Sequence, residues 1–313
     1  MTFDPQVVRD FEYAGWERAA AQYAATFSRA TQGFIDELLH AARVGAGMQV
    51  LDLACGPGPV TAALAGRGAL PVGLDFSPAM LTLARGAHPG LRFEEADAEM
   101  LPFDDGSFDA VVSNFGIHHV SSPIRALGEA HRVLRPGGQL AFTAWTPPPE
   151  NIAWRLLYDA ISAHGDLAAA NTPPPGGTLR QPEDLLRLLD AAGFTESDAK
   201  RVHREWRVAA PRDLLEGFRR GTVRTAALID AQPAAALPQI EAAIARNVAI
   251  YRRPHGFAVP ITAILGSGGA PERGKHLPAE YRDQLERWGP HKLINRHYAL
   301  NVEPARDQSG GIA

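Results

Sequence analysis

The sequence predicts an α/β fold built on a doubly wound, mostly parallel sheet, and three observations carry that expectation. An apolar run at 48–53 ends in the tight turn Ala54-Cys55-Gly56-Pro57-Gly58 and passes at once into a helix-forming segment at 60–65. A second apolar run at 70–74 is closed by Asp75, about 20 residues beyond the turn. Strands then alternate with helices through Trp145. Strand, glycine turn and helix let a backbone approach a nucleotide-like ligand with no Cβ in the way. A carboxylate ending the next strand can accept hydrogen bonds from a ribose diol.

The residues of the turn separate two ligand classes. A dinucleotide fingerprint needs a third glycine to seat a pyrophosphate on the helix, and Thr61 stands there instead. Asp52, just before the turn, repels a pyrophosphate and attracts an ammonium or sulfonium. A cationic, phosphate-free nucleoside such as S-adenosylmethionine fits both features. VLDLACGPG (50–58) resembles the first motif of the class I S-adenosylmethionine-dependent methyltransferases, and EAHRVLRPGGQLAFTAW (129–145) is similar to their later conserved segment. The resemblance spans 48–145. It implies a seven-stranded sheet with an antiparallel last strand, a helical N-terminal lid, and O- or C-methylation of a mostly apolar compound by the quinone-biosynthesis-like or natural-product branch.

Composition excludes several classes. The 313 residues are 45% hydrophobic and 21% charged with a formal net charge of −4, so there is no electrostatic footprint for nucleic acid. The single cysteine, Cys55, rules out an internal disulfide framework and suits a reducing compartment. No apolar run is long enough for a membrane span and the N-terminus has no leader pattern, so a cytoplasmic location is expected. There is no HExxH or Cys/His ligand cluster, hence no metal site, and no GxxxxGK[ST] or GxSxG motif.

In chain order, 1–45 reads as a helical lid, 46–269 as the methyltransferase domain with a helical insertion at 211–251, and 270–313 as an arm. Trp16 and Tyr23, at helical spacing in the lid, either pack on the core or, as the resemblance implies, face the acceptor. Ser77 and Pro78 start a helix as N-cap and first residue. The resemblance makes Asp52, Ala54, Gly56 and Gly58 cofactor contacts, puts Asp75 on the ribose with Phe76 and Met80 beside the adenine, and sets Asp97 and Ala98 at its edge. Glu99 reads as a cap of the following turn.

The fourth strand, at 108–113, ends in Asn114 and the pair His118-His119, at the carboxyl end of the sheet where ligands bind. Asn114 is expected to be a further cofactor contact. Either histidine could take a proton from the acceptor, or merely orient the loop. A helix follows Ser122, then a type II turn at 135–138 and a strand at 139–145. Beyond the proline-rich 146–181 come a helix at 182–192, a strand at 199–208, helices at 211–230 and 238–251, and a last strand at 257–265 closed by four residues, Gly266-Ser267-Gly268-Gly269. Phe218 and Tyr251 are the acceptor contacts expected from the insertion. The arm's large apolar residues suggest docking on the body or homo-oligomerisation. Two other functions fit the same motifs: a nucleoside-holding module or catalyst that transfers no methyl, and an RNA or protein methyltransferase. Against RNA, Asn114-Phe115-Gly116-Ile117 lacks an [N/D]PP[F/Y] run.

Overall fold

Apolar strands and amphipathic helices alternate into one mixed sheet in the computed structural model, which describes residues 4–177 and 179–271. Helices α1 (Pro5–Ala25), α2 (Ser28–Gln32) and α3 (Ile35–Ala41) precede the first strand. The central run is β1 (Gln49–Leu53), α4 (Pro59–Gly66), β2 (Leu70–Asp75), α5 (Pro78–Ala87), β3 (Arg92–Glu95), β4 (Phe108–Asn114), α6 (Pro123–Val133) and β5 (Leu134–Trp145). Then follow α7 (Ile152–His164), α8 (Pro182–Ala191), β6 (Thr195–Val208), α9 (Pro211–Gly221), α10 (Arg224–Asp230), α11 (Leu237–Val248), β7 (Arg252–Arg253) and β8 (Gly256–Gly269).

The strand order is β3-β2-β1-β4-β5-β8-β6, with the two-residue β7 paired to β8 as an addition to the seven strands expected. Strands β1 to β5 pair in parallel, and β8 runs antiparallel between β5 and β6, as expected. The winding reverses between β1 and β4, which opens a crevice at their carboxyl ends. Both sheet faces are covered. Phe34, Leu38, Leu157, Phe218 and Ile244 belong to one core, and Leu127, Phe142, Leu185 and Leu189 to the other.

Local chemistry sets the helix starts near the crevice. Ser77 accepts the Met80 N–H at 3.1 Å and Pro78 opens α5. Gly58, at φ +85°, makes the left-handed turn into α4 that a Cβ would strain.

Three boundaries differ from expectation. Strand β5 begins at Leu134, opposite Phe108, and the turn at 135–138 is taken up by a register shift between Phe108 and Ala110. Gly266 to Gly269 continue β8 and do not turn away: Gly269 pairs with Gln139 and Ser267 with Asp198. A Cβ on Gly268 would lie 2.9 Å from the Phe194 Cβ, so these small residues let the chain after α8 lie flush on the sheet. The helix expected over 211–230 breaks at Thr222 and Val223, where Val223 meets α1. A Cβ on Gly15 would come within 2.3 Å of the Val223 Cγ1, so only glycine permits this approach. Residues 272–313, nearly all of the expected arm, lie outside the described residues.

Candidate functional site

A cavity open to solvent lies at the carboxyl ends of β1, β2 and β4 beneath α1. Its floor is set by β1 and its turn. Asp52 is fully buried, and its Oδ2 accepts the Thr61 hydroxyl at 2.5 Å. Its Oδ1 has no hydrogen-bond partner among the described residues. Burial pushes the Asp52 carboxyl up to about 7. Ala54 and Phe115, which directly follow β1 and β4, hold left-handed backbones at φ +57° and +62°, and both line the cavity. Such strain in non-glycine residues collects at ligand sites.

The second wall is β2 and the start of α5. Asp75 is 5% exposed; its Oδ2 accepts the Gly56 N–H at 2.8 Å and its Oδ1 the Ser77 N–H at 2.9 Å. Burial pushes Asp75 up to about 6 despite those bonds. Among the described residues, no Lys, Arg or His forms an ion pair with Asp52 or Asp75. Two buried carboxylates without a cation therefore face one cavity. Phe76 and Met80 line it beside them.

Ala96, Asp97 and Ala98 form the third wall. Asp97 is held at 2.9 Å by Arg9 of α1. Glu99 does more than cap a turn: it is buried and accepts from Ser121 Oγ at 2.6 Å and Ser122 N–H at 2.9 Å, tying this loop to the start of α6. Burial raises its pKa.

Helix α1 is the roof. Arg9, Trp16 and Tyr23, seven residues apart, present one helix face to the cavity. The Tyr23 hydroxyl lies 3.1 Å from Thr31 Oγ1, and burial pushes its pKa up to about 12. Two carboxylates fasten the helix. Glu17 accepts from Ser77 Oγ at 2.6 Å and Ala79 N–H at 3.0 Å, at the amide-rich start of α5. Glu12, fully buried, accepts from Arg224 Nε at 2.6 Å and meets His119 Nδ1 at 2.9 Å. Arg9, Glu12 and Glu17 escaped the sequence reading because charged residues on a leading helix normally face water. Their signal was the helical spacing Arg9 and Glu12 share with Trp16 and Tyr23.

The two histidines part company. His119 lines the cavity, edge-on to Trp16 with ring centroids 4.9 Å apart. His118 is not among the lining residues, and its buried Nδ1 has no hydrogen-bond partner among the described residues. Burial, then the neighbouring His119 and Arg224, hold its pKa well below the usual value. Asn114 lines the cavity while its Nδ2 donates to the Thr31 carbonyl at 3.1 Å and its Oδ1 accepts from Thr143 Oγ1 at 2.9 Å.

Three expected contacts lie elsewhere. Gly58 faces away: a Cβ there would strike the Phe93 ring at 2.9 Å. Phe218 is fully buried among Trp154, Trp206 and Phe27, at centroid distances of 4.7, 5.1 and 5.9 Å. Tyr251 packs at the margin of the same core. No residue of the insertion lines the cavity; it reaches the site through Arg224 and Glu12. Cys55 is a small wall residue whose thiol burial pushes well up, so it is protonated and no nucleophile. Among the described residues no cluster could hold a metal ion.

Comparison with known proteins agrees with this architecture. A family described as a methyltransferase domain matches residues 51–142. A demethylmenaquinone methyltransferase of Thermus thermophilus is 38% identical over 163 residues, which are 47% of this chain and 74% of the relative. One from Deinococcus radiodurans is 36% identical over 196 residues, 58% of this chain and 74% of the relative. The solved YcgJ protein of Bacillus subtilis covers 76% of this chain and 98% of its own at a TM-score of 0.50 and 19% identity, a likeness of fold. The chain belongs to the class I S-adenosylmethionine-dependent methyltransferases that modify small molecules.

Proposed function

We propose that this cavity binds S-adenosylmethionine and that the enzyme moves its methyl group to a small, mostly apolar acceptor carrying an acidic hydroxyl. One observation carries the reading: Asp52 lines the cavity with a buried Oδ1 that has no partner, and no cation pairs with Asp52 or Asp75, among the described residues. A ligand bearing an ammonium or sulfonium supplies what Asp52 lacks, and a ribose diol can donate to the remaining lone pairs of Asp75. Phe76 and Met80 then flank the base, with Asp97 and Ala98 at its edge, and Ala54, Gly56 and Asn114 complete the walls.

Bound there, S-adenosylmethionine supplies a methyl group already activated by a sulfonium. The chain's own residues do the rest. Helix α1 covers the site and keeps water from it, and Trp16, Tyr23 and Phe115 offer aromatic surface to an apolar acceptor. His119, the histidine on the cavity, takes the acceptor's proton; His118 is a packing and orienting residue. The lid (1–45) forms the acceptor side, backed through Glu12 by Arg224 of the insertion (211–251), and the arm from 270 mediates self-association.

The acceptor class follows the relatives, named for demethylmenaquinone, together with the aromatic lining. A 2-alkyl-1,4-naphthoquinol is therefore the first acceptor to test, with labelled S-adenosylmethionine. Labelled product that His119→Phe reduces at least 100-fold supports the reading. Tight cofactor binding with no transfer to quinol, phenol or enol acceptors would favour the non-methylating alternative. Among the described residues no helix is long and apolar enough to cross a membrane.

A further inference from the structure

We propose that Glu12 is the positioning residue that makes His119 the base of the reaction, with Arg224 holding Glu12 in place. The inference rests on the assignment of His119 above and adds the partner that assignment lacks.

The geometry runs through three parts of the chain. Glu12 sits on α1, His119 on the turn after β4 and Arg224 at the start of α10. Glu12 Oε2 lies 2.9 Å from His119 Nδ1, and Glu12 Oε1 accepts from Arg224 Nε at 2.6 Å. A carboxylate held by a guanidinium only accepts hydrogen bonds, so Nδ1 must carry the ring proton and donate it. That leaves the lone pair on Nε2, the nitrogen free to act, in a ring that lines the cavity and is 20% exposed. Trp16 packs edge-on against the ring and limits its rotation.

Arg224 is itself fixed, donating from Nη1 to the Pro173 carbonyl at 2.6 Å and lying 5.4 Å from the centre of the Phe11 ring. A wholly buried carboxylate on a lid helix is a costly choice where an apolar residue would pack as well. Its two partners explain why it is there. Glu12 steadies one ring tautomer and stabilises the cation formed when Nε2 gains a proton. The other charged or titratable groups nearby are His118, which burial keeps neutral, and Arg9, three residues earlier on α1, with its partners Asp97 and Glu99 on the loop after β3.

In the step itself, the acceptor's O–H bond breaks. Its proton passes to His119 Nε2, and the electron pair stays on the acceptor oxygen, or on the carbon conjugated to it. The imidazolium keeps its Nδ1–H on Glu12. The device suits a phenol, quinol or enol; a carboxylic acid, already ionised at neutral pH, needs no such base. Because Glu12 belongs to α1, the base is assembled only while the lid is seated.

The test is long-range proton–nitrogen NMR of the His119 imidazole in the intact protein between pH 5 and 9, assigned by comparison with His119→Phe. The wild type should carry its neutral proton on Nδ1. Glu12→Gln, its carbonyl held by Arg224 and its amide N–H turned to the ring, should move the neutral proton to Nε2, while Glu12→Asp keeps it on Nδ1. In a 2-alkyl-1,4-naphthoquinol assay kcat/KM should fall at least tenfold in Glu12→Gln and recover most of that loss in Glu12→Asp. A wild-type proton on Nε2, or the same tautomer and kcat/KM in wild type and Glu12→Gln, would overturn the proposal. If Glu12→Gln fails to fold, the wild-type tautomer and the Glu12→Asp variant still decide it. Calorimetry of the wild type with S-adenosylhomocysteine runs alongside, and absent binding there would sink the cofactor reading alone.

Discussion

The Thr61 hydroxyl donates to Asp52 Oδ2 across 2.5 Å, with both side chains fully buried at the root of the cavity. Thr61 occupies the place of a dinucleotide fingerprint's third glycine, so the departure from that fingerprint has a structural use: it anchors the carboxylate that waits for a cation. Removing the hydroxyl leaves that carboxylate without its one side-chain partner. Thr61→Val should lose about 1–3 kcal/mol of stability by thermal melting, with Thr61→Ser close to wild type. Asp52→Asn should fold and bind S-adenosylmethionine at least tenfold more weakly, a loss of about 1.4 kcal/mol or more.

The same carboxylates set a pH dependence. Asp52 at about 7 and Asp75 at about 6 stand above their ordinary 3.8. Between about pH 4 and 7 the folded, ligand-free protein therefore binds more protons than the unfolded chain. This contribution to stability is fully present below about pH 4 and is lost as pH rises through 6 and 7. The melting-temperature difference between Asp52→Asn and wild type should move in favour of the variant from pH 5 to pH 8. A cationic ligand reverses the sign. It favours ionised Asp52, so S-adenosylmethionine affinity should rise with pH through about 7 and binding should release protons, read as a buffer-dependent calorimetric enthalpy.

Phe218 separates core from site. It sits in a cage with Phe27, Trp154 and Trp206, outside the cavity lining. Phe218→Ala should cost about 3–5 kcal/mol by denaturant unfolding. S-adenosylmethionine affinity of the folded variant should stay within about twofold of wild type, whereas a pocket aromatic such as Trp16 should show the opposite balance.

Helix α1 is fastened from its inner face by Arg9 to Asp97 and by Glu17 to Ser77 and Ala79. Each is a partly exposed, charge-assisted contact contributing about 1 kcal/mol. Arg9→Gln combined with Glu17→Gln should speed amide exchange in 5–25 roughly tenfold, leaving the β1 and β4 amides unchanged.

The central fold was legible because its signals are local and repetitive. The glycine turn, Asp75 and the Ser77-Pro78 helix start each depend on neighbours a few residues away, and they placed β1, β2, α4 and α5 closely. The cavity walls followed from the strand ends, including Asp52, Asp97 and Asn114. What stayed hidden depends on contacts distant in the chain. Glu12 meets Arg224 across 212 residues, and nothing local marks it as buried. Phe218 and Tyr251 were read as pocket aromatics, but an aromatic at helical spacing serves a core equally well. Gly266 and Gly268 looked like turn residues because their partners, Leu185 and Phe194, lie far back in sequence.

Calorimetric titration with S-adenosylmethionine, on the wild type and on Asp75→Asn, tests the cavity's assignment most directly. Asp75 holds the Gly56 and Ser77 amides and faces the cavity, so the account predicts micromolar-range binding by the wild type and at least tenfold weaker binding by the variant. No binding by the wild type, or equal binding by both, would contradict it.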